Sequence, residues 1–564
     1  MPIPRSILTK GDLPDLDLAV VAGKWPADIS GHVLISTSDQ RSNPVHAFFG
    51  DGVLVRLALE PGTDGAPGGR FAWRPRVIDT PSVRLRRRRP DLFRSGPVGT
   101  SSPFGSVNAA NTAPLPWGDR LFATWDAGRP VEVDPITLAF LGEVGHRDDW
   151  APVLDAPALP SILTTAHPVV DPDRGCLWSV TRDPLTGVLS VVRYDGDGRH
   201  VRRWPVEGAE FPQATHTITQ TRHWLVLADT AYKVDLDEVL GAGDRTVANN
   251  PGGPLVLVRK DALDDAPPGT PVRGAVFRIA PEVNHFYAAY DDSAGIRVVM
   301  EHTPGVDIGM YLREDDTDVY GHPIDPALRG MYCHAMSPAL TTVLEFDPVA
   351  GSVTDVARLY DPERYWQAEL SALDWSLEGQ LAPTRHHLVF QGFQPEAVNG
   401  RALRNYGSRV DRSLLPAGQT PAVLASLERD SLKPLSEWAW ALDDYPTSPV
   451  FVPRSPGGPG RSRYAGAEPG GHDGYVAVVV HNDDRFRVEV FDAAAVSRGP
   501  VATLAPAPGT VVPFMIHSAW MPAARPADPS IERLRFADDL DDRLAQLDPG
   551  LQAVAREVAA EQGA

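Results

Sequence analysis

From about residue 30 to residue 522 the chain alternates short apolar runs with polar turn clusters, and long helical patterns are scarce. GHVLIST, GVLVRLAL, DRLFATW, GCLWSVT, GVLSVVRYD, HWLVLAD, GIRVVME, HHLVFQG, GYVAVVVH and FRVEVFD are rich in β-branched and aromatic residues. Clusters of Gly, Asp and Pro such as DPDRG and DGDGR separate such runs. Short apolar runs bounded by turn residues read as strands of an all-β sandwich, barrel or propeller. Nearly 500 residues of them are too many for one sandwich. A β-propeller takes up such length by repeating four-stranded blades of about 40 to 50 residues around a central channel.

Two segments break this pattern. Residues 454–474, RSPGGPGRSRYAGAEPGGHDG, have the Gly/Pro/Ser content of a surface loop. Residues 528–564 turn helical: Ile531, Leu534, Leu540, Leu544 and Leu547 form a partly apolar stripe, with Asp528 or Ser530 placed as cap. Asp548-Pro549-Gly550 then separates a second helix. This end reads either as a packing appendage or as a helix through which the chain forms an oligomer.

Composition narrows the function classes. At 564 residues with 43% hydrophobic and 22% charged residues, the chain can bury a substantial core. A net charge of -20 and a pI near 5.2 argue against a nucleic-acid partner, because phosphate binding needs a basic surface. One basic run, Arg84 to Arg89, interrupts the acidic balance. It reads as a solvated loop or as a peripheral membrane contact on anionic headgroups. Cys176 and Cys333 are too few for a disulfide framework. The N-terminus lacks the apolar segment of a secretory signal, and no apolar run approaches the ~20 residues that span a bilayer. A cytoplasmic location is expected, with or without membrane association.

Four of the sixteen histidines stand beside short strand-like runs: His167 in AHPVVDP, His216 in ATHTITQTRHWLVLAD, His285 in VNHFYAAYDD and His517 in PFMIHSAWMP. Each alone is as well explained as a satisfied strand-end histidine. Converging, they would offer four neutral imidazoles and no thiolate or carboxylate, a set that suits Fe(II) or Cu better than Mg or Ca.

These segments resemble the carotenoid cleavage oxygenase family. HAFFGDGVLVRL from His46 is similar to the family's H-x-F-x-G-D-G segment, and NTAPLPWGDRLFATWDAGRPVEVDPITLAFLG from Asn111 to another of its stretches. His167 in A-H-P-x-x-D-P, His216 with Thr221 and Trp224, His285 with Tyr290, and His517 in PF-x-x-H-x-x-W-x-P match its four iron-ligand motifs in order. The resemblance covers residues 30–522. It implies a seven-bladed β-propeller with one Fe(2+) on its axis under a loop and helical cap. An N-terminal arm (1–29) precedes that domain and a C-terminal helical extension (523–564) follows it. It further implies O2-dependent cleavage of a conjugated C=C bond in an apolar carotenoid-like or apocarotenoid-like substrate, giving two carbonyl products.

Relatives hold three of the four histidines with outer glutamates, and there this chain departs. Asp126 stands at the first such position, one methylene shorter than Glu, so that contact with the imidazole would need a water or a shifted strand. The second falls in GFQPEAVNGR, on Gln394 or Glu396, and the third on Ser448, where the family has Glu. In the His285 motif Ala288 replaces Asn and Asp291 replaces Glu. Trp125 occupies the place of the lysine with which stilbene-cleaving relatives activate a phenol, which favours a polyene. Phe104, Trp117, Trp125, Phe286, Tyr287 and Phe514 are candidates to line an apolar tunnel, each equally explained as core. Iron-dependent isomerisation or hydrolysis, and non-catalytic binding of an apolar ligand, are the rival readings on the same scaffold. A Ca²⁺ propeller is disfavoured, because its site needs clustered carboxylate and amide oxygens.

Overall fold

The computed structural model describes residues 3–561 apart from 60–70, 154–155, 240–242, 244, 373–383 and 455–472. Most of the Gly/Pro-rich stretch 454–474 therefore lies outside the described residues. Period-two alternation becomes antiparallel four-stranded blades, seven among the described residues. Their first strands are Ser518–Met521, Ala113–Trp117, Val169–Asp171, Ile218–Gln220, Val283–Ala288, Ala368–Ala372 and Tyr445–Pro453, for blades one to seven in ring order. First strands of neighbouring blades touch between blades one and two, three and four, four and five, six and seven, and seven and one.

Strands of a propeller bury both faces, because each blade is covered by its two neighbours. Apolar clusters accordingly fill every gap between blades. Leu34 and Leu54 meet Leu121, Phe122 meets Leu177, and Val180 meets Leu225. Leu257 then meets Phe286, Val299 meets Leu388, Val389 meets Val476, and Val488 meets Val55. The ring closes by joining the chain's two ends: Ser518–Met521 pairs antiparallel with Gly31–Asp39, Trp520 opposite Val33. Leu16–Gly23, assigned from sequence to an arm, is a strand bridging blades seven and one, paired with Pro500–Ala505 and Phe71–Val77. The propeller therefore begins before residue 30.

Long excursions from blades five and six form the cap. Leu312, Tyr332 and Ala397 pack on Phe514 and Ile516, the residues that lead into His517. The HAFFGDG segment sits in the same region, with the His46 Nε2 3.0 Å from the Ile308 carbonyl. Gly52 lies so close to the Ala110 carbonyl that a β-carbon there would come within 2.4 Å of its oxygen.

The C-terminal end differs from the sequence expectation. The first helix is broken into short turns, Phe536–Asp539 and Asp542–Gln546, and only Pro549–Glu561 runs on as a helix. Its buried residues Leu551, Ala555 and Val558 pack on Leu85, Phe104 and Leu159 of the same chain. That apolar stripe is thus consumed internally, which removes the sequence argument for an oligomer through it. The basic run is likewise not a free patch. It lies on and just beyond the helix Pro81–Arg88, capped by the Thr80 hydroxyl, and its five arginines meet Asp79, Asp51, Glu557, Glu561 and Asp91. Among the described residues no helix is long and apolar enough to cross a membrane.

Four histidines away from the axis are buried and held neutral by desolvation. The His46, His334 and His481 imidazoles are pushed down to about 3 and His302 to about 4. Their folded pKa values lie below the unfolded value near 6.5, so the unfolded chain takes up protons first as the pH falls. Stability should be complete above about pH 6.5 and decline toward pH 4, by about 1.4 kcal/mol per pH unit for each such histidine. Urea midpoints measured from about pH 7 to pH 4.5 should fall steadily. A flat profile would contradict this burial.

Candidate metal centre

Four first strands, or the residues leading into them, carry the four histidines. His285 lies on Val283–Ala288, while His167, His216 and His517 immediately precede Val169–Asp171, Ile218–Gln220 and Ser518–Met521. A set of backbone bonds fixes these turns. The amides of Ala166 and His167 donate to the His216 carbonyl, and Thr165 Oγ1 donates to the same oxygen at 2.7 Å. The His216 amide donates to the Thr230 hydroxyl at 2.8 Å. At blade one, Ser36 donates its amide to the His517 carbonyl and receives the His517 amide on its hydroxyl.

The side chains converge. One nitrogen from each of His167, His216, His285 and His517 falls in a group whose members all lie within 4.8 Å of one another. Nε2 of His216 is 3.2 Å from Nε2 of His285. The His167 ring stands at 79° to 87° to His216, His285 and His517, with centroids 4.6–5.1 Å apart. Imidazole–metal bonds of about 2.1 Å place adjacent nitrogens about 3 Å apart and opposed ones about 4.2 Å apart. The four nitrogens fit one metal ion. Burial, and then mutual repulsion among the rings, holds His167 and His285 well below the usual histidine range and His517 at about 3. These three imidazoles are therefore neutral at neutral pH, with lone pairs available.

Asp126 touches the cluster directly. Its carboxylate oxygens lie 2.9 and 3.0 Å from Nδ1 of His216, without a bridging water. Asp126 also accepts the Ala166 amide on Oδ1 and the Thr164 amide on its carbonyl. The loop is thus drawn inward, which makes up for the missing methylene. With Nδ1–H given to Asp126, the His216 lone pair sits on Nε2, facing the other rings.

The other outer positions differ from expectation. Gln394 donates its amide to the Gln391 carbonyl at 3.0 Å, and Glu396 pairs with Arg5 at 2.9 Å. Neither meets a histidine of the cluster, because Pro395–Ala397 is a short turn tied into the cap. Ser448 is buried, with φ of 47° at a bulge, and its hydroxyl has no partner among the described residues. Its carbonyl accepts the Ser518 hydroxyl, which places it beside His517.

The tunnel candidates divide. Trp125 packs with Phe49, Ala109 and Tyr232 next to Asp126. Phe514 contacts Phe48 and Tyr332 below the cap, and Tyr287 lies 5.6 Å from the His386 ring. The other three are core: Phe104 is under the C-terminal helix, Trp117 packs on Phe122 and Tyr194, and Phe286 sits between blades four and five.

Sequence reasoning missed a buried network at the far ends of three first strands. Lys260 Nζ donates to Asp171 at 2.7 Å and to Gln220 at 2.8 Å, while the Tyr290 hydroxyl donates to Asp171. Tyr290 and Asp171, parts of the His285 and His167 motifs, thus clamp blades three to five together.

A family model described as "Retinal pigment epithelial membrane protein" matches residues 5–522. The chain is 23% identical over 538 residues to the apocarotenoid-15,15'-oxygenase of Synechocystis sp., covering 89% of this chain and 92% of that protein. It is 28% identical over 251 residues to resveratrol cleavage oxygenase 1 of Chaetomium globosum, covering 42% of this chain and 39% of that protein. Among solved structures, the lignostilbene dioxygenase of Pseudomonas brassicacearum superposes with a TM-score of 0.62 at 18% identity, covering 93% of this chain and all of that one.

Proposed function

As this chain belongs to the carotenoid cleavage oxygenase family, we propose that it is an Fe(II)-dependent dioxygenase that cleaves a conjugated C=C bond of an apocarotenoid-like polyene. One observation carries the reading: four histidines, His216 and His285 buried and His167 and His517 half-buried, direct one nitrogen each to a common point, with no anionic ligand among them. The balance needs no further reductant. One O2 and one C=C bond give two C=O groups.

His167, His216, His285 and His517 would hold the iron, which supplies the electrons that ground-state O2 requires to react with a closed-shell olefin. The chain's own residues set the conditions. Neutral imidazoles add no charge to the centre, so a ferrous ion is not drawn toward the ferric state. Asp126 fixes the His216 tautomer and ring plane. Trp125 with Phe49, and Phe514 with Phe48, offer apolar walls that bind a polyene and exclude water. Trp125 cannot take a phenol proton as a lysine would, which ranks a polyene above a stilbene. Iron-loaded protein screened aerobically against apocarotenoids and stilbenes, with product masses, tests the reading. Two aldehyde or ketone fragments from a polyene are expected, and turnover of stilbenes alone would overturn the substrate class.

Ser448 supports a separate expectation. Its side chain is shorter than the family's glutamate, and its hydroxyl has no partner among the described residues. Ser448→Glu should place a carboxylate behind His517 and slow iron loss to a chelator, since such outer partners are worth about 10- to 100-fold in metal affinity. Equal release rates from both proteins would show that residue 448 does not stand behind His517.

A further inference from the structure

The turn that carries Asp126 joins two strands of blade two, Arg120–Thr124 and Val131–Val133. Thr164 holds one side of it, donating its hydroxyl to the carbonyls of Trp125 and Gly128, each at 2.8 Å. On another side lies a cavity lined by Asn108, Gly128, Arg129 and Ile162, with Phe536 of the C-terminal segment in the same wall. Close packing therefore does not brace the turn there. What ties it down is Arg129, three residues beyond Asp126 and buried. Its guanidinium donates to the Gly145 carbonyl at 2.7 Å, to Glu143, and to Asp539 at 2.6 Å.

Asp539 belongs to the segment past residue 522, where the family match ends. That segment runs along the outer strand of blade two, Phe140–Glu143, with Leu534 opposite Glu143 in an antiparallel bridge. Asp539 is buried and uses both oxygens. Oδ2 accepts from Arg129, and Oδ1 accepts the Arg147 amide at 2.9 Å. Removing one partner would strand a buried charge, so the clasp holds. The short reach of Asp126 makes this clasp matter at the metal centre. Its oxygens stand 2.9 and 3.0 Å from Nδ1 of His216, with a side chain one methylene shorter than glutamate. Hydrogen bonding is lost by about 3.6 Å, so an outward movement of the turn by less than about 1 Å would break that contact.

We propose that Asp539 is a positioning residue of the metal centre: through Arg129 it holds the Asp126 turn at the distance from which Asp126 fixes the His216 tautomer. The C-terminal segment, outside the matched residues, thereby supports a ligand on the propeller axis. This rests on the metal-centre reading above.

Full-length protein loaded with Co(II) tests it through chelator release, the Co(II) ligand-field spectrum and a double-mutant cycle with Asp126. Asp539→Asn should release Co(II) about 10-fold faster, the low end of what a direct outer partner contributes, and shift the Co(II) bands. Added to Asp126→Asn it should change the release rate no further, since both substitutions act on one contact. Glu557→Gln, which alters an exposed ion pair with Arg88 in the same segment, should match wild type. Thermal unfolding of the metal-free proteins reports on the fold separately. Where Asp539→Asn does not fold, Asp539→Glu replaces it; its added methylene displaces Arg129, and a smaller effect of the same sign is expected. Wild-type release and spectra in the folded Asp539 variant would overturn the proposal. So would effects that multiply in the double variant, which would place the action of Asp539 elsewhere, and so would equal metal loss in Glu557→Gln. If wild-type protein itself binds no Co(II), the metal-centre reading fails first and this inference fails with it.

Discussion

Replacing His216 or His517 by alanine is expected to remove bound iron and turnover together. Each imidazole supplies one of only four ligand nitrogens, and alanine leaves a cavity that a weakly held water would have to fill. The substitution should be mild for the fold, because both residues sit at the turn entering a first strand and not in the apolar seams between blades. Elemental analysis of purified variants, beside thermal unfolding of the metal-free proteins, separates the effects. Iron near zero with an unfolding midpoint close to wild type is the expected pair. Full iron occupancy in both variants would refute the assignment of these ligands.

Asp126→Asn should have the second largest effect, although it keeps the shape of the side chain. A carboxylate can only accept, so it fixes the proton on Nδ1 of His216. An amide can instead present its NH2 group, which favours a proton on Nε2 and takes the lone pair away from the metal. Loss of charge and tautomer together should weaken metal affinity by about 10- to 100-fold or more. Chelator competition against wild type measures this. An unchanged affinity would mean that the short contact with His216 plays no part in holding metal.

Much of the architecture could be read before any coordinates. Period-two runs separated by Gly, Asp and Pro define strands locally, and their number excludes a single sandwich. The strand Leu16–Gly23 escaped notice because its residues alternate weakly and most stay exposed. The C-terminal helix was left between a packing appendage and an oligomer contact for a different reason. An apolar stripe does not say what it packs against, and here Leu85 and Phe104 of the same chain lie under it. The ion pairing of the arginines was hidden on similar grounds, since their carboxylate partners include Glu557 and Glu561, far along the chain.

At the site, the histidines were legible because each has a distinctive local flank. What stands behind them was less so. Asp126 was named, but its direct reach depends on a loop drawn in by the Thr164 and Ala166 amides. Gln394 and Glu396 were chosen by sequence register in a segment that the fold commits to the cap.

The most direct test of the central claim follows the oxygen. Protein loaded with one iron per chain is given an apocarotenoid under ¹⁸O2, with products trapped before exchange and weighed. Both carbonyl fragments should carry one ¹⁸O atom. Unlabelled product, whether an isomer or a hydrolysis fragment, or tight binding of the polyene without turnover at full iron occupancy, would contradict it.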